Sequence, residues 1–275
     1  MGDKMNTKLQ NGMTMPLLGF GTWQLTDTKC INAIEIALKK GYKHIDTAEA
    51  YGNESEIGKV LKNFNREDLF ITSKLWISHY KYDDAIKACD ESLSKLGTDY
   101  LDLYLMHWPD GSQDIEETIK AMKELYDTKK IKAFGVSNFT IKHLEKAIPI
   151  AEKIGIPITV NQVEFHPGLY QKELMDFCKE NKIVLEAYSP LARGKVSDND
   201  VLSNIASKYN KTPAQITLRW ILDKDIVVIP KASSEEHIVD NMDVFDFALD
   251  DVDIESINNM GNSERLVVPE FAEFD

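Results

Sequence analysis

Cysteine is scarce in this sequence: Cys30, Cys89 and Cys178 are widely separated and form no CxxC pair. That excludes a disulfide framework and a cysteine-based zinc site, and it suits a reducing cytosol. Positive charge is also short. Against 45 Asp and Glu stand 32 Lys and Arg, a net charge of −13. Neither nucleic acid nor a membrane surface is therefore an expected partner, because both call for a basic field. An anionic ligand has to be held by a few local cations. No apolar run reaches membrane-spanning length. The opening Met-Gly-Asp-Lys-Met-Asn lacks an apolar signal-peptide core, and Asn6 breaks the myristoylation pattern. The expected location is cytoplasmic, where the sequons at Asn53, Asn138 and Asn210 are chance matches.

What is present is an ordinary globular composition, 43% apolar and 28% charged. Lys8 to Met15 reads as a hairpin with Asn11-Gly12 at its turn. Short apolar runs then begin near Leu17, His44, Leu69, Leu101, Ala133, Ile158, Ile183 and Ile226. They are largely continuous, as strands buried on both faces are. Helical periods between them cover residues 83–96, 114–128, 141–154 and 171–181. Thr212-Pro213-Ala214-Gln215 marks a helix start, with Thr as N-cap and Gln completing a capping box. Eight such units point to an α/β fold, a (β/α)8 TIM barrel, read as one domain over residues 1–275. It carries an N-terminal β-hairpin, extra C-terminal helices (residues 249–260 among them) and a tail from Gly261 over the barrel. A doubly wound sheet is the alternative, but it would usually place a Gly-rich turn after its first strand. Gly19-Phe20-Gly21 is only a fragment of one.

In a barrel the active site lies at the C-terminal strand ends. Strand two delivers Asp46 and then Tyr51; strand three ends in Lys74 and Trp76; strand four ends in His107 and Trp108. Ser137-Asn138 close strand five, Gln162 lies on strand six, and Tyr188-Ser189-Pro190-Leu191 close strand seven. A lone Lys or His at a strand end is more often structural, but four such groups on three successive ends ask for a joint explanation. An Asp where an apolar strand meets its loop is costly unless paired, and Lys74 is the expected partner. Lys74 beside Tyr51 is expected to lower the phenol pKa, with Asp46 keeping Lys74 charged. Tyr51 then serves as a general acid toward an oxyanion that His107 also hydrogen-bonds. Trp23, Trp76 and Trp108 would wall an apolar substrate pocket. No HxH motif or carboxylate cluster stands at these ends, and no metal is expected.

From Lys8 to about Pro269 the chain resembles the aldo-keto reductase family, in its prokaryote-type form. Three stretches carry the likeness: Gly41-Tyr-Lys-His-Ile-Asp-Thr-Ala-Glu-Ala-Tyr-Gly-Asn-Glu54, the run from Met122 to Phe139, and Ile229-Pro-Lys-Ala-Ser-Ser-Glu-Glu-His-Ile-Val-Asp-Asn241. The resemblance implies a monomeric NADPH-dependent oxidoreductase that reduces aldehydes and ketones. It makes Asp46, Tyr51, Lys74 and His107 a catalytic tetrad with Tyr51 as proton donor. It implies a nicotinamide stacked on Tyr188, its carboxamide held by Ser137, Asn138 and Gln162. The implied cofactor contacts extend to Gly21, Thr22, Trp23, Asp46, Ser189, Pro190, Leu191, Ile229, Lys231, Ser233, Ser234, His237 and Asn241. Substrate would meet Trp23, Tyr51, Trp76, His107 and Trp108. A sugar or keto-acid reductase, and a nucleotide-binding barrel without turnover, are the alternatives.

The pattern departs from the family in three places. Where the family binds the adenosine 2′-phosphate with Ser and Arg, this chain has Ala232 and His237. Arginine offers a permanent bidentate contact; histidine offers at most one and changes charge near neutral pH. NADH is therefore expected to be usable beside NADPH, unless Lys231, Ser233, Ser234 and Asn241 suffice for the phosphate. Lys129 replaces a Gly at a helix end. The tail after Gly261 is short, and an open pocket with a broad substrate range is the expectation.

Overall fold

The computed structural model describes residues 5–111, 114–261, 265–272 and 274. Strands β1 (Asn6–Lys8) and β2 (Thr14–Pro16) pair antiparallel with Thr7 opposite Met15. The hairpin is wider than its sequence suggests. Its turn starts at Leu9, whose carbonyl accepts from the Gly12 N–H at 2.9 Å, so Asn11-Gly12 forms the second half of the turn. Gly12 takes φ +87°, where a side chain would strain the backbone.

Eight parallel strands follow in sequence order: β3 (Gly19–Gly21), β4 (His44–Asp46), β5 (Phe70–Leu75), β6 (Leu103–Met106), β7 (Phe134–Ser137), β8 (Ile158–Glu164), β9 (Val184–Tyr188) and β10 (Val227–Val228). The sheet closes on itself. Val228 N–H donates to Leu17 O at 2.9 Å and Gly21 N–H to Pro230 O at 3.1 Å. At this seam a Cβ on Gly21 would come within 2.7 Å of Ile229 O, so the close approach requires glycine. The doubly wound alternative is thereby excluded.

Parallel neighbours need a crossover, and helices supply it. They are α1 (Asp27–Lys40), α2 (Glu54–Leu61), α3 (Tyr82–Leu96), α4 (Ile115–Asp127), α5 (Ile141–Ile154) and α6 (Lys172–Glu180), then α7 (Asp200–Tyr209), α8 (Pro213–Leu222), α9 (Glu235–Asp240) and α10 (Asp251–Asn258). Boundaries read from periodicity hold within a residue for α3 to α6. The capping box at Thr212 is formed, with Thr212 N–H donating to Gln215 Oε1 at 2.8 Å. α10 is shorter than the expected 249–260, because Asp250 caps it by accepting from Asp253 N–H at 2.8 Å.

Strands β5 and β8 are buried along their whole length, as strands between a helical layer and a filled interior must be. That interior is not all apolar. Gln162 on β8 donates to Asp46 on β4, four strands away in the sheet, so this bond spans the barrel. Among the described residues no helix is long and apolar enough to cross a membrane.

Candidate active site

The four expected catalytic side chains converge. Asp46 ends β4 in register with Gly21 and Thr72. Lys74, fully buried on β5, donates to Asp46 Oδ1 at 2.6 Å, to Thr47 O at 2.9 Å and to the Tyr51 hydroxyl at 3.4 Å. Tyr51 ends a short 3-10 turn, Glu49–Tyr51, that Gly52 terminates in the left-handed region. It keeps part of its ring exposed to the cavity while its hydroxyl reaches the ion pair. His107 follows β6, its ring 5.7 Å from that of Tyr51 and 5.1 Å from that of Trp76.

Electrostatics correct one expectation. Burial is the largest influence on Tyr51 and pushes the phenol up; Lys74 pulls it down, and the net direction is upward. Lys74 stands closer to Asp46 than to Tyr51, and Asp46 itself adds to the upward push on the phenol. Tyr51 thus holds its proton through neutral pH, a state compatible with the expected donor role. For Lys74 burial pulls downward, yet Asp46 and Tyr51 more than compensate and keep it charged. Burial pushes Asp46 up, against the pull of Lys74 and Gln162. Burial, then Lys74, holds His107 well below the usual imidazole range, so it is neutral.

A second carboxylic acid, Glu186, belongs to this cluster and was missed by reading strand ends alone. Glu186 lies inside β9 opposite Gln162, and Gln162 Nε2 donates at 2.8 Å to both Asp46 Oδ2 and Glu186 Oε2. Gln162, expected to help hold the nicotinamide carboxamide, thus commits its amide nitrogen to two carboxylates. Burial, then Asp46, pushes Glu186 to about 8. The sign of the consequence is fixed: the folded state keeps a proton that the unfolded chain releases, so stability falls as pH rises from 5 toward 8. Glu186→Gln should flatten that decline, read as melting temperature at pH 5.5 and 8. An equal decline in the variant would show that Glu186 is not its source.

Above the tetrad opens a cavity of about 1130 Å³. Every predicted contact lines it except two. Lys74 sits behind Asp46 and Tyr51, and Ser234 caps α9 by accepting from His237 N–H at 3.3 Å. Asn138, at φ +64°, donates to His107 O at 3.0 Å and accepts from the Tyr188 hydroxyl at 2.8 Å; Ser137 Oγ donates to Gln162 O at 2.8 Å. These bonds orient the Tyr188 ring at the wall. Thr22 Oγ1 and His107 Nδ1 are buried without a hydrogen-bond partner among the described residues, and both residues face the cavity. Unmet polar capacity, an aromatic wall and the cation Lys231 fit a nicotinamide dinucleotide.

Sequence reasoning also missed Arg193, and it placed the tail over the barrel without naming the residues that line the cavity. Arg193 stands 5.0 Å above the Trp23 ring, in an irregular loop where Ala192 and Arg193 both take positive φ and no periodicity announces it. Leu266 to Pro269 and Phe271 of the tail line the same cavity, and the Phe271 ring lies 5.8 Å from Trp76 and 5.6 Å from Trp108. The tail is short, and its described part contributes to the wall of the cavity. The aromatic content of residues 271–274 was the available signal.

Residues 17–262 match the model of the Aldo/keto reductase family. The chain is 45% identical over 266 residues to glyoxal reductase of Bacillus subtilis, covering 96% of this chain and 95% of that protein. It is 46% identical over 264 residues to methylglyoxal reductase DkgA of Escherichia coli K12, covering 94% of each. A crystal structure of MGS-M4, an aldo-keto reductase from a deep-sea metagenome library, superposes with a TM-score of 0.91 at 42% identity, over 98% of this chain and 99% of that one. An aldo-keto reductase, AKR2E5, complexed with NADPH superposes with a TM-score of 0.90 at 36% identity, over 97% and 90%.

Proposed function

Because the chain belongs to the aldo/keto reductase family and is an NAD(P)H-dependent carbonyl reductase, we propose that it reduces small dicarbonyls of the methylglyoxal and glyoxal kind, with Tyr51 as proton donor. The observation that carries this reading is Lys74 Nζ set between Asp46 and the Tyr51 hydroxyl beneath an aromatic-walled cavity. Tyr188, Ser137, Asn138 and Lys231 would hold the cofactor. When bound, the reduced nicotinamide supplies the hydride. Tyr51 gives its proton to the carbonyl oxygen as negative charge grows there. Lys74, held charged by Asp46, stabilises the phenolate left behind. His107, neutral, orients the same oxygen through a hydrogen bond. A family of reductases and an assembled tetrad leave no support for a nucleotide-binding barrel without turnover.

The cofactor preference is narrow on this reading. With Ala232 and His237 at the wall, NADPH is favoured over NADH by less than about a hundredfold, since one lost charge-assisted contact is worth roughly one to two decades. The test is oxidation of NADPH and NADH in parallel with methylglyoxal, together with dissociation constants for both. His237→Arg should tighten NADPH by about ten- to a hundredfold and leave NADH unchanged. A wild-type preference far above a hundredfold would sink the dual-cofactor reading. Binding of both cofactors without oxidation of either would sink the reductase reading itself.

A further inference from the structure

Glu164 ends β8, fully buried at the rim of the barrel, and takes no part in the tetrad. Each of its carboxylate oxygens is used on a segment about a hundred residues away. Oε1 accepts from Leu266 N–H at 2.8 Å and Oε2 from Val267 N–H at 3.0 Å. His166 Nε2 lies 2.9 Å from Oε1, and the Glu164 carbonyl accepts from Gln171 Nε2 at 2.7 Å. Gln171 Oε1 in turn accepts from Arg265 at 3.3 Å, and the Arg265 guanidinium lies 3.8 Å over the Phe274 ring. Burial alone would push Glu164 up, but the bonds from His166, Leu266 and Val267 hold it below the usual carboxylate range, so the acceptor is charged. An ionised carboxylate buried against two backbone N–H groups is a strong and directional tether.

We propose that Glu164 is a latch that sets substrate range: it seats the tail so that Phe271 forms an aromatic wall with Trp76 and Trp108 at the cavity mouth. This rests on the carbonyl-reductase reading and deepens it. Phe271 remains exposed on its free side, available to a planar substrate. A ring-bearing aldehyde gains from that wall. A small dicarbonyl has no ring to place against it.

The experiment compares wild type and Glu164→Gln with methylglyoxal and with 4-nitrobenzaldehyde, and measures chymotrypsin cleavage after Phe271 by mass spectrometry. An amide at position 164 turns one acceptor into a donor facing the tail N–H groups. The KM for the aromatic aldehyde should rise about two- to tenfold relative to that for methylglyoxal, with kcat changed less, and cleavage should accelerate. Phe271→Ala should reproduce the shift in the KM ratio, and combining it with Glu164→Gln should add nothing further. An unchanged KM ratio, or unchanged cleavage, overturns the latch. Should Glu164→Gln not fold, Val267→Pro removes one donor from the tail side with β8 untouched, and the same two readings decide. Wild type inactive on both substrates would instead refute the reductase reading, while cleavage still reports on the latch.

Discussion

Tyr51→Phe lowers kcat for methylglyoxal reduction by about 10²–10⁴-fold, the usual contribution of a positioned general acid. Only the hydroxyl is lost; the ring keeps its edge contact with His107. Cofactor affinity should therefore change little, and the loss should appear in kcat rather than in the dissociation constant of NADPH. A drop in both would point to a packing defect, and a loss below tenfold would mean that another group gives the proton. Wild-type kcat should also be flat between pH 6 and 7, below the range in which Glu186 changes charge. Burial holds the Tyr51 phenol up and the His107 imidazole down, so neither changes charge in that window.

Lys74→Met produces the second large effect, and it appears in stability as well as in rate. Removing one partner of a buried ion pair costs roughly 3–5 kcal/mol, because the remaining charge has no compensation. Asp46 would be that charge, almost wholly buried and left with Gln162 as its side-chain donor. Adding Asp46→Asn to Lys74→Met should restore much of the stability, since a neutral pair is often tolerated where half a pair is not. It should restore none of the activity, because no cation then meets the phenolate. Urea denaturation and kcat on the three variants separate the two effects. A double variant as unstable as the single one would show that packing, rather than the unpaired charge, sets the loss.

These outcomes link the architecture to the chemistry. A barrel interior closed by eight strands excludes water, which makes every buried charge costly and every paired one effective. The cluster His44, Asp46, Lys74, Gln162 and Glu186 therefore bears on stability and on the proposed proton donor alike. His44 shows the same logic, its ring 3.0 Å from Thr72 Oγ1 and driven to about 3 by burial and by Lys74.

The sequence by itself determined what depends on near neighbours along the chain. Continuous apolar runs placed the eight strands within a residue or two. Helical periods and the Thr212 capping box placed the helices, because caps and periodicity act over three or four residues. The strand ends then brought Asp46, Tyr51, Lys74 and His107 forward as candidates, since a barrel presents that edge to one cavity. Tertiary structure alone decided what passes across the barrel or over its rim. The bond from Gln162 to Asp46 joins residues 116 positions apart, and Glu164 reaches Leu266 over 102. The upward direction of Tyr51 likewise depends on burial outweighing the pull of Lys74, with Asp46 adding to the push. Burial and long-range hydrogen bonds exist only once the sheet has closed, so no local pattern of residues announces them.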